Sequence, residues 1–307
     1  MSTSDSRIWF ITGSSQGLGR ALLEEVLASG ERAVATLRKP TVLAPLVEKY
    51  ASSQLLVVPL DVTDEAQIVA AFEATKKHFG RLDVVVNNAG YGLEGEIEDT
   101  PEAEARKQIE VLFWGPVRIT KEAIKFLRDV NPPGYGGRVL NISSVGGYSS
   151  NPTLAFYSAG KFALEAFTEA FTKEMLPEWN IKGLIIEPGG FETEWGGSSM
   201  IHVPIHPRYQ GPTSPGLAFR KMREASHQYG GGGIGDPNKG GKVLMQIASM
   251  PNPPLRIQLG TDSLMLVRNK ALKTVRDGET FEEISHSTNK DGIDKDQILG
   301  MIKEANV

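Results

Sequence analysis

Seven short apolar runs alternate with longer stretches of helical periodicity along these 307 residues, and that alternation leaves few architectures open. The runs fall at 8–12, 33–37, 55–60, 82–87, 138–142, 181–187 and 256–259. Helical patterns fall at 18–29, 64–79, 101–130, 154–176, 237–249 and 263–277. Strands and helices taken in turn give a parallel sheet with helices on both faces. The expectation is an α/β fold, a doubly wound parallel sheet, in a single domain over 1–307. Thr63 and Thr100 read as helix N-caps, and Pro101 suits a first helical position. The segment from Gly196 to Gly241 is rich in Gly, Pro and Ser, with one helical patch at 217–226. A long irregular insertion of this kind is usually a lid, here expected over about 194–240. A helical extension, about 261–307, follows the last strand.

Composition removes several function classes. Net charge is −4, and the lysines and arginines are dispersed, so no nucleic-acid partner is expected. There is no cysteine, which excludes disulfides, thiolate metal sites and a cysteine nucleophile. Of the five histidines, only His202 and His206 have helical spacing, and Pro204 and Pro207 interrupt any helix there; no metal is expected. The polar N-terminus lacks an apolar signal core, and no apolar run approaches a membrane span. The expectation is a soluble cytoplasmic protein with a small-molecule partner and no membrane.

Three clusters carry chemistry. The first is Thr12-Gly13-Ser14-Ser15-Gln16-Gly17-Leu18-Gly19, between the first strand and the first helix. Glycines let the backbone turn tightly against a pyrophosphate, and the helix start offers free N–H groups and a positive dipole end. The second is Arg38, at the end of the second strand, where a cofactor lacking the 2′-phosphate would meet a carboxylate. A guanidinium there suits a phosphate and favours NADP(H), although Gln16 adds no basic reinforcement within the turn. The third is Tyr157 with Lys161, four residues apart on one helical face. A free tyrosine, with a pKa of about 10, is a poor acid-base group at neutral pH. A cation about 4 Å away at an effective dielectric of about 20 supplies roughly the 4 kcal/mol needed to bring it near neutrality. The pair therefore suits proton transfer in a carbonyl–alcohol interconversion.

Together these segments resemble the short-chain dehydrogenase/reductase family, over roughly residues 7 to 260. The glycine turn is similar to its TGxxxGxG motif, and Asn87-Asn88-Ala89-Gly90 to its NNAG segment. Ser144, Tyr157 and Lys161 stand where the family has its catalytic serine, tyrosine and lysine, and Pro188–Thr193 resembles its PGxxxT stretch. The resemblance implies a Rossmann-type fold and hydride transfer between a nicotinamide and a carbonyl, alcohol or imine carbon. Ser144 would hold the substrate oxygen and Tyr157 would move the proton. Lys161 would lower the tyrosine pKa and bond the nicotinamide ribose. Cofactor contacts would come from Gly13, Ser15, Gln16, Gly17, Leu18, Gly19, Arg38, Asp61, Val62, Asn88, Ala89, Gly90, Tyr157, Lys161, Pro188, Gly189 and Thr193. Asp61 and Val62 would lie at the adenine, and Thr193 at the carboxamide. The resemblance also implies a homodimer or homotetramer. One position departs from it: Leu112 occupies the place of an asparagine thought to hold a water linking the lysine to solvent.

Tyr91, Val145, Tyr148, Phe156, Phe191, Trp195 and Met200 lie in segments that border the nicotinamide end in the family, which suggests an apolar substrate. Two alternatives stay open at this stage: a cofactor-retaining isomerase or cyclase without net redox change, and a non-catalytic NADP(H)-binding protein.

Overall fold

The computed structural model describes residues 6–227 and 234–304; residues 228–233 of the expected lid, the polar start of the chain and its last three residues lie outside it. The elements in chain order begin β1 (Ile8–Thr12), α1 (Gly17–Ala28), β2 (Arg32–Leu37), α2 (Ala44–Lys49), β3 (Leu55–Pro59), α3 (Glu65–Phe79) and β4 (Val84–Asn87). Next come β5 (Gly92–Glu94), α4 (Glu102–Ile109), α5 (Gly115–Asp129), β6 (Gly137–Ile142), α6 (Ala155–Glu174), β7 (Ile181–Pro188) and β8 (Met200–His202). The last are α7 (Pro215–His227), α8 (Pro237–Ala248), β9 (Arg256–Leu259), α9 (Thr261–Thr280), α10 (Glu282–His286) and α11 (Lys295–Glu304).

Seven strands form one parallel sheet in the order β3-β2-β1-β4-β6-β7-β9. Its first strand shows why both faces are covered. Successive side chains of a strand point to opposite faces. Trp9 and Ile11 enter one buried cluster with Leu22, Leu27, Leu244 and Ile247 of α1 and α8. Ile8 and Phe10 enter the other with Phe72, Phe126 and Phe171 of α3, α5 and α6. Phe10 stacks on Phe72 at 4.7 Å between ring centroids. The doubly wound α/β fold read from the sequence is present. The strand order turns between β1 and β4, and at such a switch point the carboxyl ends of the strands open a crevice for a ligand.

Several local expectations need correction. Thr63 does not cap α3. Its hydroxyl donates to Asp61 Oδ1 at 2.8 Å, and Asp64 accepts the Gln67 N–H instead. Thr100 likewise donates to the Glu96 carbonyl at 2.7 Å. Pro101 flanks α4, which begins at Glu102. The helix expected over 101–130 contains a π-helical turn at Glu110–Trp114. Pro116 has no N–H to return to the Leu112 carbonyl, and the Gly115 N–H reaches back to Glu110. The segment expected to be irregular contains β8, which pairs in parallel with β5 as a separate two-stranded sheet, Gly92 opposite Met200 and Glu94 opposite His202.

Candidate active site

Thr12 begins the site at the end of β1. Its hydroxyl donates to the Val86 carbonyl at 3.2 Å and accepts the Asn88 and Ala89 N–H groups at 2.9 and 3.1 Å. Asn88 returns two bonds from its side-chain amide, to the carbonyls of Thr12 (3.0 Å) and Gly13 (3.2 Å). The ends of β1 and β4 are thus stitched together under the glycine turn. Gly13 has φ +65°, and a Cβ there would lie 2.8 Å from the Ala89 Cα. A Cβ at Gly19 would lie 2.3 Å from the Asn88 amide nitrogen. The turn needs its glycines for close approach as well as for conformation. Gln16, extended, precedes α1 without a side-chain cap, and the first turn holds no acidic residue. Open N–H groups at a positive helix end, beside glycines that admit close approach, fit a dinucleotide diphosphate.

Deeper in the sheet, Asn87 donates to Asn141 Oδ1 at 2.7 Å, and Asn141 donates to Thr168 Oγ1 at 2.7 Å. This buried polar chain ties β4, β6 and α6 together, which aligns the end of β6 with the helix that carries Tyr157. Ser144 follows β6, its Oγ accepting the Gly146 N–H at 3.0 Å, and hydrogen-bonds the Tyr157 phenol. Lys161 lies one turn further along α6, buried, with its Nζ donating to the Ile142 carbonyl at 2.6 Å and lying 5.9 Å from the Tyr157 ring centroid. Ser144, Tyr157 and Lys161 therefore meet at the end of β6.

The electrostatics differ from the expectation of an acidified tyrosine. Burial pushes the Tyr157 phenol up to about 12, and the Ser144 hydrogen bond only partly opposes it. Burial also brings the Lys161 ammonium down to about 8, against the pull of Glu165 upward. The acidification expected from Lys161 is absent in this arrangement: the ammonium is engaged by a backbone carbonyl, and the cost of charging a phenol in a dry pocket dominates.

The remaining residues close the cleft. Thr193 faces the glycine turn, its Cγ2 3.5 Å from where a Gly17 Cβ would stand. The Gly189 N–H donates to the Leu259 carbonyl at 2.8 Å, and the Gly190 N–H to Asp262 Oδ2 at 2.7 Å. Ser263 donates to the Glu187 carbonyl at 2.7 Å. Asp262 and Ser263, in the first turn of α9, thus brace the Pro188–Thr193 loop, a role no local sequence signal announced. Arg38 is exposed at the end of β2, near Tyr91, whose pKa burial and Glu104 raise and Arg38 only partly opposes. Asp61 Oδ1 is occupied by the Thr63 N–H and hydroxyl, and Val62 is buried against Gly115.

Of the apolar residues expected around the substrate, Trp195 and Met200 reach the phenol. The Trp195 ring stands edge-on to Tyr157 at 5.1 Å, and Met200 clusters with Tyr157, Leu154 and Leu112. Phe191 instead packs on Gly235 and Gly240, and Tyr148 lies beneath Arg256. Leu112, 1% exposed, fills the space beside Gly90 and Gly160. The segment carrying Trp195 and Met200 is fastened down by contacts to the buried carboxylates of Glu94 and Glu96. Arg220 of α7 bonds Glu96 Oε1 at 2.5 Å, and Arg223 and His202 bond Glu94 Oε2 at 3.0 and 2.8 Å. Gln16 also donates to the Ser199 hydroxyl, joining the glycine turn to this segment.

Known proteins resemble this chain in sequence and fold. A family model described as short chain dehydrogenase matches residues 7–201. An uncharacterised oxidoreductase of Schizosaccharomyces pombe is 40% identical over 284 residues, 92% of each chain. An NADPH-dependent 3-dehydrocapnine reductase of Ornithobacterium rhinotracheale is 34% identical over 189 residues, 61% of this chain and 66% of its own. A crystal structure of a short-chain dehydrogenase from Streptomyces avermitilis superposes with a TM-score of 0.82 at 31% identity, over 94% of this chain and 100% of the other. With the glycine turn, the stitched strand ends and the Ser144–Tyr157–Lys161 cluster in one crevice, the chain belongs to the short-chain dehydrogenase family of oxidoreductases.

Proposed function

We propose that the protein is an NADP(H)-dependent reductase or dehydrogenase acting on a carbonyl, alcohol or imine of a small apolar molecule. The observation that carries this reading is the meeting of Ser144, Tyr157 and Lys161 at the end of β6, across the crevice from the uncapped start of α1. The bound dinucleotide supplies or accepts the hydride. The residues from Gly13 to Gly19 hold its diphosphate, and Asp61, Val62 and Asn88–Gly90 the adenine side. Pro188, Gly189 and Thr193 hold the nicotinamide end, and Tyr157 and Lys161 the adjoining ribose. Arg38 stands where a 2′-phosphate would sit, and the NADPH-dependent relative supports that choice.

In the reducing direction Tyr157 must be neutral before it gives up its proton. A phenol pushed up to about 12 is protonated throughout the working pH range. Ser144 orients the substrate oxygen. The phenolate left behind is stabilised by the Ser144 hydroxyl, the group that opposes burial at Tyr157. The segment over about 194–240 acts as the lid, with Trp195 and Met200 as its apolar underside. A homodimer or homotetramer in the cytoplasm belongs to the same reading. Trp114 and Phe162, exposed on the helical faces that would pair, support the oligomer.

The test is a panel of ketones, aldehydes and imines mixed with protein and NADPH, followed by nicotinamide absorbance. Substrate-dependent NADPH loss is the expected result, and tight NADPH binding without any product sinks the reading. Arg38→Ala should weaken NADPH binding by about 1.5–3 kcal/mol, roughly tenfold to a hundredfold. It should leave NADH binding unchanged, and fluorescence titration with both cofactors checks this.

One observation favours a second reading, an isomerase or cyclase that retains its cofactor. Leu112 places no hydrogen-bonding group where the family has an asparagine. Product formed without NADPH loss in the same panel would select it. Leu112→Asn should cost about 2–4 kcal/mol of stability, because it buries an amide among Leu154, Tyr157 and Met200. The folded fraction should turn over at least as fast as the parent. Thermal melting and kcat, measured together, decide between the two effects.

A further inference from the structure

The last strand of the sheet leads into α9, a 20-residue helix of which only Ser263 and Val267 are buried. Lys270 completes that inner face, its Nζ 6.0 Å from the Tyr148 ring centroid and 4.9 Å from that of Phe162. A second face, turned about 120° away, is exposed along its length. It carries Met265, Arg268, Leu272, Val275 and Glu279, in alternating steps of three and four residues. Met265, Leu272 and Val275 are 47%, 48% and 56% exposed. That spacing is the spacing of a coiled-coil seam, whose apolar side chains are buried by a facing helix. The charges are sorted along the same segment. Arg268, Lys270, Lys273 and Arg276 fall within 268–276, with no acidic residue among them. Asp277, Glu279, Glu282 and Glu283 fall within 277–283, with no basic residue among them. Neither Arg268 nor Glu279 has an ion pair among the described residues.

We propose that this outer face of α9 binds the same face of a second copy of the chain, the two helices antiparallel about a two-fold axis. Such a contact is isologous, so each pairing occurs twice. The register that matches charge sets Leu272 opposite Val275 of the partner subunit, which makes two apolar layers at the centre. Arg268 then stands opposite Glu279 of the partner subunit at one end, and Glu279 opposite Arg268 of the partner subunit at the other. A parallel pair would instead set Arg268 against Arg268 and Glu279 against Glu279, which is repulsive at both ends. An anionic lipid surface would attract 268–276 and repel 277–283, whereas a second copy satisfies both halves. The contact is additional to any pairing through α5 and α6, and it does not depend on the reductase reading.

The seam is short, so the association is expected to be reversible and to depend on concentration. Sedimentation velocity of the full chain over a concentration range reads it. Arg268→Glu and Glu279→Arg each place like charges at both ends of the seam, and each should weaken the step by roughly tenfold or more. The two substitutions together restore both pairs in reverse, and should return the association to within about threefold of the parent. Leu272→Glu puts a charge into both central layers and should abolish the step. All of these positions are exposed, so the folded protomer is the species compared throughout. A mass unchanged by either single substitution overturns the proposal. So does a double variant that associates no better than the singles, because the charges would then serve some other partner. A chain whose mass is unaltered by Leu272→Glu, but which sediments with vesicles of phosphatidylcholine and phosphatidylserine, overturns it in favour of a lipid surface.

Discussion

Tyr157→Phe should lower substrate-dependent NADPH oxidation by about 10²- to 10⁴-fold, the usual worth of a placed proton donor. The substitution removes one oxygen and keeps the ring. The Trp195 contact and the packing against Leu112, Leu154 and Met200 depend on that ring rather than on the hydroxyl. Melting temperature and NADPH affinity should therefore stay close to those of the parent. Steady-state turnover and a fluorescence titration of NADPH, run on the same preparation, test both halves. Turnover within tenfold of the parent would remove Tyr157 as the acid.

Arg220→Met should give the largest loss of stability, about 3–5 kcal/mol, because it strands a buried carboxylate. The Arg220 and Glu96 side chains are 7% and 4% exposed, and Arg220 supplies the only ion pair of Glu96 among the described residues. Arg223→Met should cost less, since Glu94 also has His202 and Arg220. Arg220 holds the Glu96 carboxyl below its usual pKa. A depressed carboxylate contributes stability that is complete above its unfolded value near 4.5 and fades as pH falls through the folded value. Thermal melts at neutral pH and below pH 4.5, with limited proteolysis between β8 and α7, check the size and the sign.

What the sequence disclosed follows from where each signal resides. Strands buried on both faces, such as Ile8–Thr12 and Val84–Asn87, carry their own apolar signature and were legible. β5 and β8 have three residues each and exist because Glu94 and His202 meet across more than a hundred positions, which no local window contains. The helix of Ala44–Lys49 was missed because Pro40 and Pro45 resemble breakers, yet each sits in the first turn of a helical segment, where proline is tolerated. Tyr157 and Lys161 were legible as a pair through their spacing, but their proton affinities were not. Those depend above all on how completely the two groups are buried, which the packing of Trp195 and Met200 around the phenol helps to set.

The contacts from the start of α9 carry a practical warning for anyone shortening this chain. Ending it after β9 would preserve every diagnostic motif and the whole seven-stranded scaffold. It would also take away the Asp262 carboxylate that anchors the Gly190 amide, and the Ser263 hydroxyl behind it. Such a trimmed protein would read as chemically defective although Ser144, Tyr157 and Lys161 were all in place, its fault lying in an unsupported Pro188–Thr193 loop.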